Sequence, residues 1–142
     1  MRSVIVTGGS RGLGLGMAQR LAAAGYRVIA VARNETAELR AATEAAQQAG
    51  RGSLHFRAFD LSETQEIPGL VAALHKEFRP LYGLVNNAGI GTSGVLAMMA
   101  DAEIERLLKI NVLAPMMLSK YLVRRLMAEK NGRIVNISSI VA

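Results

Sequence analysis

The chain has 142 residues, no cysteine and a formal net charge of +6 at pH 7. Hydrophobic residues make up 51% and charged residues 20%, a composition that excludes intrinsic disorder, and the lack of cysteine excludes disulfides and thiolate chemistry. No apolar run approaches the roughly 18 residues of a membrane span, and the N-terminus becomes glycine-rich too soon for a signal peptide. We therefore expect one soluble, cytoplasmic domain with no membrane partner.

The positive charge is scattered along the sequence, and the one close pair is Arg124-Arg125. Aromatic residues are 4% of the chain, too few for base-stacking platforms. We expect a solvated basic surface and no nucleic-acid partner.

Short apolar segments alternate with longer segments of helical periodicity. The apolar segments are rich in valine, isoleucine and leucine, and they predict buried strands at Ser3–Val6, Arg27–Val31, Leu54–Ala58, Tyr82–Val85 and Arg133–Ile137. The segments between them predict helices at Gly12–Ala24, Glu35–Ala49, Ser62–Phe78 and Asp101 to about Lys130. The alternation predicts an α/β fold, a Rossmann-type doubly wound parallel sheet with helices on both faces. Because ligands bind at the carboxyl ends of such strands, we expect functional residues directly after each strand.

Capping signals support these helix boundaries. Gly25 and Gly50 are placed to end two helices, since glycine accepts a left-handed conformation. Ser62 with Gln65 predicts a capping box, and Asp101 predicts an N-cap.

A glycine-rich loop, Gly8-x-x-x-Gly12-x-Gly14, follows the first predicted strand and opens the first helix. Phosphate binding needs a tight turn, a close backbone approach and free N–H groups at a helix start, and glycines allow the first two. We expect Gly16, one turn into the helix, to let the helix lie close on the strand. A purely structural turn is the alternative, which the strand–loop–helix context makes less favoured.

The segment Thr7-Gly8-Gly9-Ser10-Arg11-Gly12-Leu13-Gly14 resembles the cofactor motif of the short-chain dehydrogenase/reductase family, and later landmarks extend the resemblance over Met1 to Ala142. The resemblance implies a nicotinamide-dependent oxidoreductase. It places cofactor contacts in the loops after strands one, three and four, with Asp60 accepting the adenine amino group and Asn86 mostly structural. The alternative for Asp60 is a cap of the next helix, a role that Ser62 fills better. The contacts it implies are Gly8, Ser10, Arg11, Gly12, Leu13, Gly14, Asp60, Leu61, Asn87, Ala88 and Gly89.

The end of the second strand bears on the choice of cofactor. An NAD site usually carries an acidic residue there, whereas this sequence has Ala32 followed by Arg33. A guanidinium binds a 2′-phosphate that a carboxylate would repel, and Arg11 in the glycine loop supplies a second one. We therefore expect NADP(H) as the cofactor and no metal. Two solvated surface arginines are the alternative.

Pro115 lies inside the long predicted helix. Because proline has no N–H, the carbonyl of Asn111 loses its usual donor, and we expect a kink that leaves this carbonyl free to hold a water. The resemblance places the family's catalytic asparagine, part of a proton relay, at Asn111. The alternative is an asparagine that only satisfies backbone groups freed by the kink.

The resemblance also implies that Ser139, rather than Ser138, is the catalytic serine, which polarises a substrate carbonyl. The family's Tyr-x-x-x-Lys pair follows that serine by about a dozen residues, and the sequence has no such pair. Tyr121-x-x-x-Arg125 has the spacing, but it precedes the fifth strand, and we reject it.

We therefore expect residues 1–142 to be an incomplete Rossmann domain, inactive alone and with an exposed apolar fifth strand. The resemblance implies a homo-oligomer packed partly through the long helix. By analogy, it suggests a 3-oxoacyl thioester of an acyl carrier protein as the carbonyl substrate. The alternative is a non-catalytic nucleotide-binding or interaction fragment.

Overall fold

The computed structural model describes residues 1–139, which form a five-stranded parallel sheet with helices on both faces. The strands are β1 (Ser3–Thr7), β2 (Arg27–Ala32), β3 (Ser53–Ala58), β4 (Leu81–Asn86) and β5 (Arg133–Asn136). They lie in the order β3-β2-β1-β4-β5, and each neighbouring pair is parallel. The chain therefore winds outward in opposite directions from β1, which opens a crevice at the carboxyl ends of β1 and β4. The predicted fold class is confirmed.

The helices are α1 (Gly12–Ala23), α2 (Ala37–Ala49), α3 (Ile67–Phe78), α4 (Asp101–Leu108) and α5 (Ala114–Ala128). Short 3₁₀ turns occur at Thr64–Glu66 and Leu96–Met98, and a π-helical turn, Lys109–Leu113, joins α4 to α5. Gly25 and Gly50 follow α1 and α2 with φ values of +90° and +64°, as expected. Within residues 1–139, none of these helices combines the length and apolarity that crossing a bilayer requires.

The start of the third predicted helix differs from the prediction. Residues from Ser62 make a turn and a 3₁₀ segment before α3 begins at Ile67. Ser62 donates its N–H and its hydroxyl to Oδ1 of Asp60, at 2.9 and 2.7 Å. The predicted capping box is therefore wrong, because the carboxylate two residues earlier takes both donors of Ser62.

The long predicted helix also differs in detail. The N-cap position of α4 is Ala100, whose N–H donates to the Glu103 carboxylate at 3.4 Å, so the assignment of the cap to Asp101 is wrong by one residue. The missing N–H of Pro115 is accommodated by the π-helical turn, in which Lys109 O accepts from the Ala114 N–H. Backbone dihedral angles on either side of this turn stay helical.

Both faces of the sheet are covered by apolar residues. Ile5 of β1 packs in a core with α3 and α5, whereas its neighbours Val4 and Val6 pack in a second core with α1 and α2. This alternation explains why the strand reads as a continuous apolar run. Strand β5 is the exception, since all four of its residues are exposed, including Val135 at 46%. The expected apolar edge is present.

Helix α1 lies directly against the end of β1, and the glycine that allows this contact is Gly14. A Cβ on Gly14 would overlap the carbonyl oxygen of Gly8, whereas a Cβ on Gly16 would meet nothing within 4 Å. The expectation that Gly16 provides the close approach is therefore wrong. Gly16 is half-exposed, and a side chain could be placed there without a clash.

These two glycines provide a matched test of α1 packing. We expect Gly14→Ala to destabilise the fold by about 2 kcal/mol or more, because backbone rather than a flexible side chain must move. Gly16→Ala should instead stabilise it by roughly 0.5–1 kcal/mol through helix propensity. Chemical denaturation of both variants measures the difference. Equal effects of the two substitutions would contradict the packing described for Gly14.

Candidate functional site

A cavity of about 440 Å³ opens at the carboxyl ends of the central strands. All the residues predicted from the sequence to contact the cofactor line it: Gly8, Ser10, Arg11, Gly12, Leu13, Gly14, Arg33, Asp60, Leu61, Asn87, Ala88 and Gly89. These residues come from four separate loops, so the fold brings them together.

The N-terminus of α1 forms one wall of the cavity. The first helical bond runs from the Leu15 N–H to Arg11 O at 3.2 Å, so the preceding N–H groups have no intrahelical acceptor. The Arg11 side chain makes no cap, and the first turn has no acidic residue. Gly12 has a φ of +55°, and a Cβ there would meet nothing within 4 Å. This end of α1 is therefore open and electropositive, as an anion site requires.

Two residues with guanidinium groups, Arg11 and Arg33, also line the cavity. Arg11 and Arg33 are both exposed, and neither forms an ion pair among residues 1–139. Ala32, the last residue of β2, also lines the cavity and provides no carboxylate to oppose them. The two groups can therefore bind a ligand anion.

Asp60 is the acidic residue that lines the cavity. The N–H of Ser62 and then its hydroxyl lower the pKa of this carboxyl, against the opposing effect of burial, and Arg106 and Arg33 lower it further. Both bonds from Ser62 end on Oδ1, so Oδ2 is available to accept from a ligand. The group is an ionised acceptor at neutral pH.

The loops after β1 and β4 are joined by Thr7 and Asn87. The Thr7 hydroxyl accepts from the N–H groups of Asn87 and Ala88, both at 3.0 Å, and donates to Val85 O at 3.3 Å. Asn87 Nδ2 donates to Thr7 O at 3.0 Å. The floor of the cavity is thus fixed by side-chain to main-chain bonds.

Asn86 lies one residue earlier and faces β5 and α5. Its buried amide donates to Asn136 Oδ1 at 2.8 Å and to Ser119 Oγ at 3.4 Å. These bonds tie the ends of β4 and β5 to α5, the arrangement that a structural asparagine makes.

Asn111 lies in the π-helical turn and holds the loop after β4. Its Oδ1 accepts from the Ile90 N–H at 2.8 Å, and its Nδ2 donates to Ile90 O at 2.7 Å. A Cβ on Gly89 would be 3.4 Å from Asn111 Oδ1, so the two residues are neighbours. Because the side chain bonds Ile90, any relay role of Asn111 falls to its main-chain carbonyl.

The two predicted catalytic residues lie outside the cavity lining. Ser139 is exposed and follows β5, at the end of the sheet where the strands have their carboxyl ends. Arg125 Nη1 donates to Tyr121 O at 2.9 Å rather than to the phenol, and the Tyr121 ring packs against the core. The rejected Tyr121–Arg125 pair is therefore not arranged as a catalytic pair.

Some cavity-lining residues were not predicted from the sequence as contacts, and Thr36, Arg106 and Ile110 are among them. Thr36 lies inside the predicted helix Glu35–Ala49, whereas α2 begins at Ala37 with Thr36 as its N-cap, so a threonine near the predicted helix start was the available signal. Arg106 of α4 and Ile110 of the π-helical turn carry no such signal, because the sequence does not say which face of these segments meets the cavity. Within residues 1–139, no cluster of three or more metal-ligating side chains occurs.

A model described as short chain dehydrogenase matches residues 2–142. The chain belongs to this family. It is 36% identical over 139 residues to the ketoacyl reductase HetN of Nostoc sp., covering 98% of the chain and 48% of that protein. It is 33% identical to the 3-oxoacyl-[acyl-carrier-protein] reductase FabG of Escherichia coli, covering 96% and 54%. The chain thus spans about half the length of the curated relatives it matches.

Solved structures of short-chain oxidoreductases have the same overall fold. A metagenomic short-chain oxidoreductase in complex with NADP superposes with a TM-score of 0.89 at 36% identity, covering 98% of this chain and 62% of the other. A 3-oxoacyl (acyl-carrier-protein) reductase from Agrobacterium tumefaciens with NADP bound superposes with a TM-score of 0.86 at 29% identity, covering 98% and 53%.

Proposed function

We propose that this chain is the nucleotide-binding part of an NADPH-dependent carbonyl reductase. The observation that carries the proposal is the cavity itself: an open helix N-terminus, two unpaired guanidinium groups, and no carboxylate at the end of β2. The NADP and NADPH bound in structures of relatives support it.

The charges around the cavity favour NADPH over NADH. A 2′-phosphate carries about two negative charges at neutral pH, and Arg11 and Arg33 can each bind it through paired N–H donors. NADH has two ribose hydroxyls at this position, which a carboxylate after β2 binds, and here that position is Ala32.

The remaining contacts follow from the position of each group. The N–H groups at the start of α1 would hold the pyrophosphate, and Asp60 would accept from the adenine amino group. When bound, the reduced nicotinamide supplies a hydride to a carbonyl carbon. We assign to Ser139 the polarisation of the carbonyl oxygen, and to the Asn111 carbonyl a water that passes a proton.

Relatives suggest the class of substrate. Several are 3-oxoacyl-[acyl-carrier-protein] reductases, and others are named for sugars, such as the L-xylulose reductase of Caenorhabditis elegans. We propose a small-molecule or acyl-thioester carbonyl, with 3-oxoacyl thioesters as the first to test.

We also propose that residues 1–142 are an incomplete domain. None of the tyrosines (Tyr26, Tyr82 and Tyr121) has a lysine four residues later, so the sequence lacks the Tyr-x-x-x-Lys proton donor that the family resemblance implies. The exposed apolar residues of β5 would be covered by further strands and helices. A non-catalytic nucleotide-binding fragment is the second candidate, favoured by the same missing donor.

An apolar stripe on α4, the π-helical turn and α5 supports self-association. It comprises Leu108, Val112, Met116, Val123 and Met127, which are 52, 49, 64, 39 and 72% exposed. Successive members are four or seven residues apart, a spacing that keeps them near one side of a helix. We propose that this stripe packs against the same stripe of a second copy.

The cofactor proposal is tested by calorimetric titration. We expect the chain to bind NADPH more tightly than NADH, and Arg33→Ala to weaken NADPH binding by roughly 10–100-fold, because a charge-assisted contact is worth about 1.5–3 kcal/mol. NADH binding should change by less than about twofold. Arg51→Ala, which removes an exposed arginine outside the cavity, is the control. Equal affinity of the unsubstituted chain for both nucleotides would refute the proposal.

The second experiment concerns activity. We expect purified residues 1–142 to bind NADPH yet to show no carbonyl-dependent NADPH oxidation, because the proton donor is missing. Absorbance at the reduced-nicotinamide band, with 3-oxoacyl thioesters and simple ketones as substrates, measures this. Intact mass must first establish that the sample is the 15.2 kDa chain. Turnover by such a sample would disprove the incomplete-domain proposal.

The third experiment concerns association. We expect Met116→Glu to shift the chain toward the monomer in sedimentation velocity, because a carboxylate would be buried in the proposed contact. Val95→Glu places the same charge at a residue that is 68% exposed and outside the stripe, and it should leave the distribution unchanged. A monomeric parent chain, or equal effects of both variants, would argue against the stripe.

A further inference from the structure

Thr36 makes two hydrogen bonds through a single hydroxyl. Its Oγ1 accepts from the Leu39 N–H at 3.1 Å, which caps α2, and donates to Ser10 O at 2.5 Å. Thr36 is half-buried and lines the cavity. The second bond joins the start of α2 to the glycine loop, 26 residues earlier in the chain.

The glycine loop has few other attachments on this side. The Gly8 N–H donates to Val31 O at 2.8 Å, a main-chain bond to β2. Beyond Gly8 the loop reaches Ser10 and Arg11 before α1 begins at Gly12. Among the contacts of residues 1–139, the Thr36 hydroxyl is the side-chain donor that fixes Ser10.

The two segments that Thr36 joins carry the two unpaired guanidinium groups. Arg11 follows Ser10 directly, and Arg33 lies three residues before Thr36. This hydrogen bond therefore helps to set the separation of the two arginine backbones, together with the main-chain bond from Gly8 to Val31. Paired donors bind a phosphate well only when their separation is set in advance.

We propose that Thr36 is a positioning residue that sets the separation of Arg11 and Arg33 and thereby the preference for a dinucleotide with a 2′-phosphate. The proposal rests on the proposed function, since it concerns the same NADPH site. The N–H groups at the start of α1 are held by the helix itself, so binding of the pyrophosphate depends little on Thr36.

The experiment compares the ratio of dissociation constants for NADH and NADPH among variants. Thr36→Val removes the hydroxyl at nearly constant shape and should lower this ratio about tenfold, while affinity for NADH stays within about twofold. Thr36→Ser keeps the hydroxyl and should restore the ratio. Thr43→Val is the matched control, because the Thr43 hydroxyl donates to Leu39 O in the same helix, at 2.9 Å, and does not touch the glycine loop.

The outcomes separate positioning from capping. If Thr36 only stabilised α2, Thr36→Val would lower the melting temperature and leave the ratio unchanged, which would overturn the inference. If Thr36→Val does not fold, Thr36→Gly answers the same question, since glycine is a tolerated N-cap and also lacks the hydroxyl. A parent chain that shows no preference for NADPH would reject the proposed function itself, whereas an intact preference in Thr36→Val and Thr36→Gly rejects only the role of Thr36.

Discussion

The close contact at the carboxyl end of β1 is the constraint on which the cavity depends. There the absence of a side chain at Gly14 lets α1 approach Gly8, and the Thr7 hydroxyl accepts two N–H groups from the loop after β4. Both contacts use the central strand of the sheet, which is buried on both faces. The loops that line the cavity are therefore attached to a strand that is buried on both faces.

Much of this arrangement follows from local sequence. Continuous apolar strands, separated by segments of helical period, leave few ways to cover both faces of a sheet. The parallel, doubly wound sheet could therefore be predicted. The glycine loop could also be predicted, because a turn with positive φ angles favours glycine, as at Gly12. The roles of these residues came from a family resemblance, not from their spacing.

The errors share a physical cause, since each depends on distances that the sequence does not contain. Gly14 and Gly16 are both helical glycines, and only their separation from Gly8 distinguishes them. Ser62 has the residue type of a cap, but the carboxylate of Asp60 competes for its donors. The π-helical turn before Pro115 could not be predicted either, because the residue type indicates only that a hydrogen bond is lost.

The cavity and the predicted catalytic serine follow strands that differ in burial. The cavity is lined by loops that follow β1 to β4 and by α4, and most residues of these strands are buried. Ser139 instead follows β5, whose residues are all exposed and whose pairing is with β4 alone. The proposed nucleotide site is therefore formed by contacts within residues 1–139. Ser139 is exposed and lies outside the cavity lining, so the proposed nucleotide site is formed independently of the proposed catalytic serine.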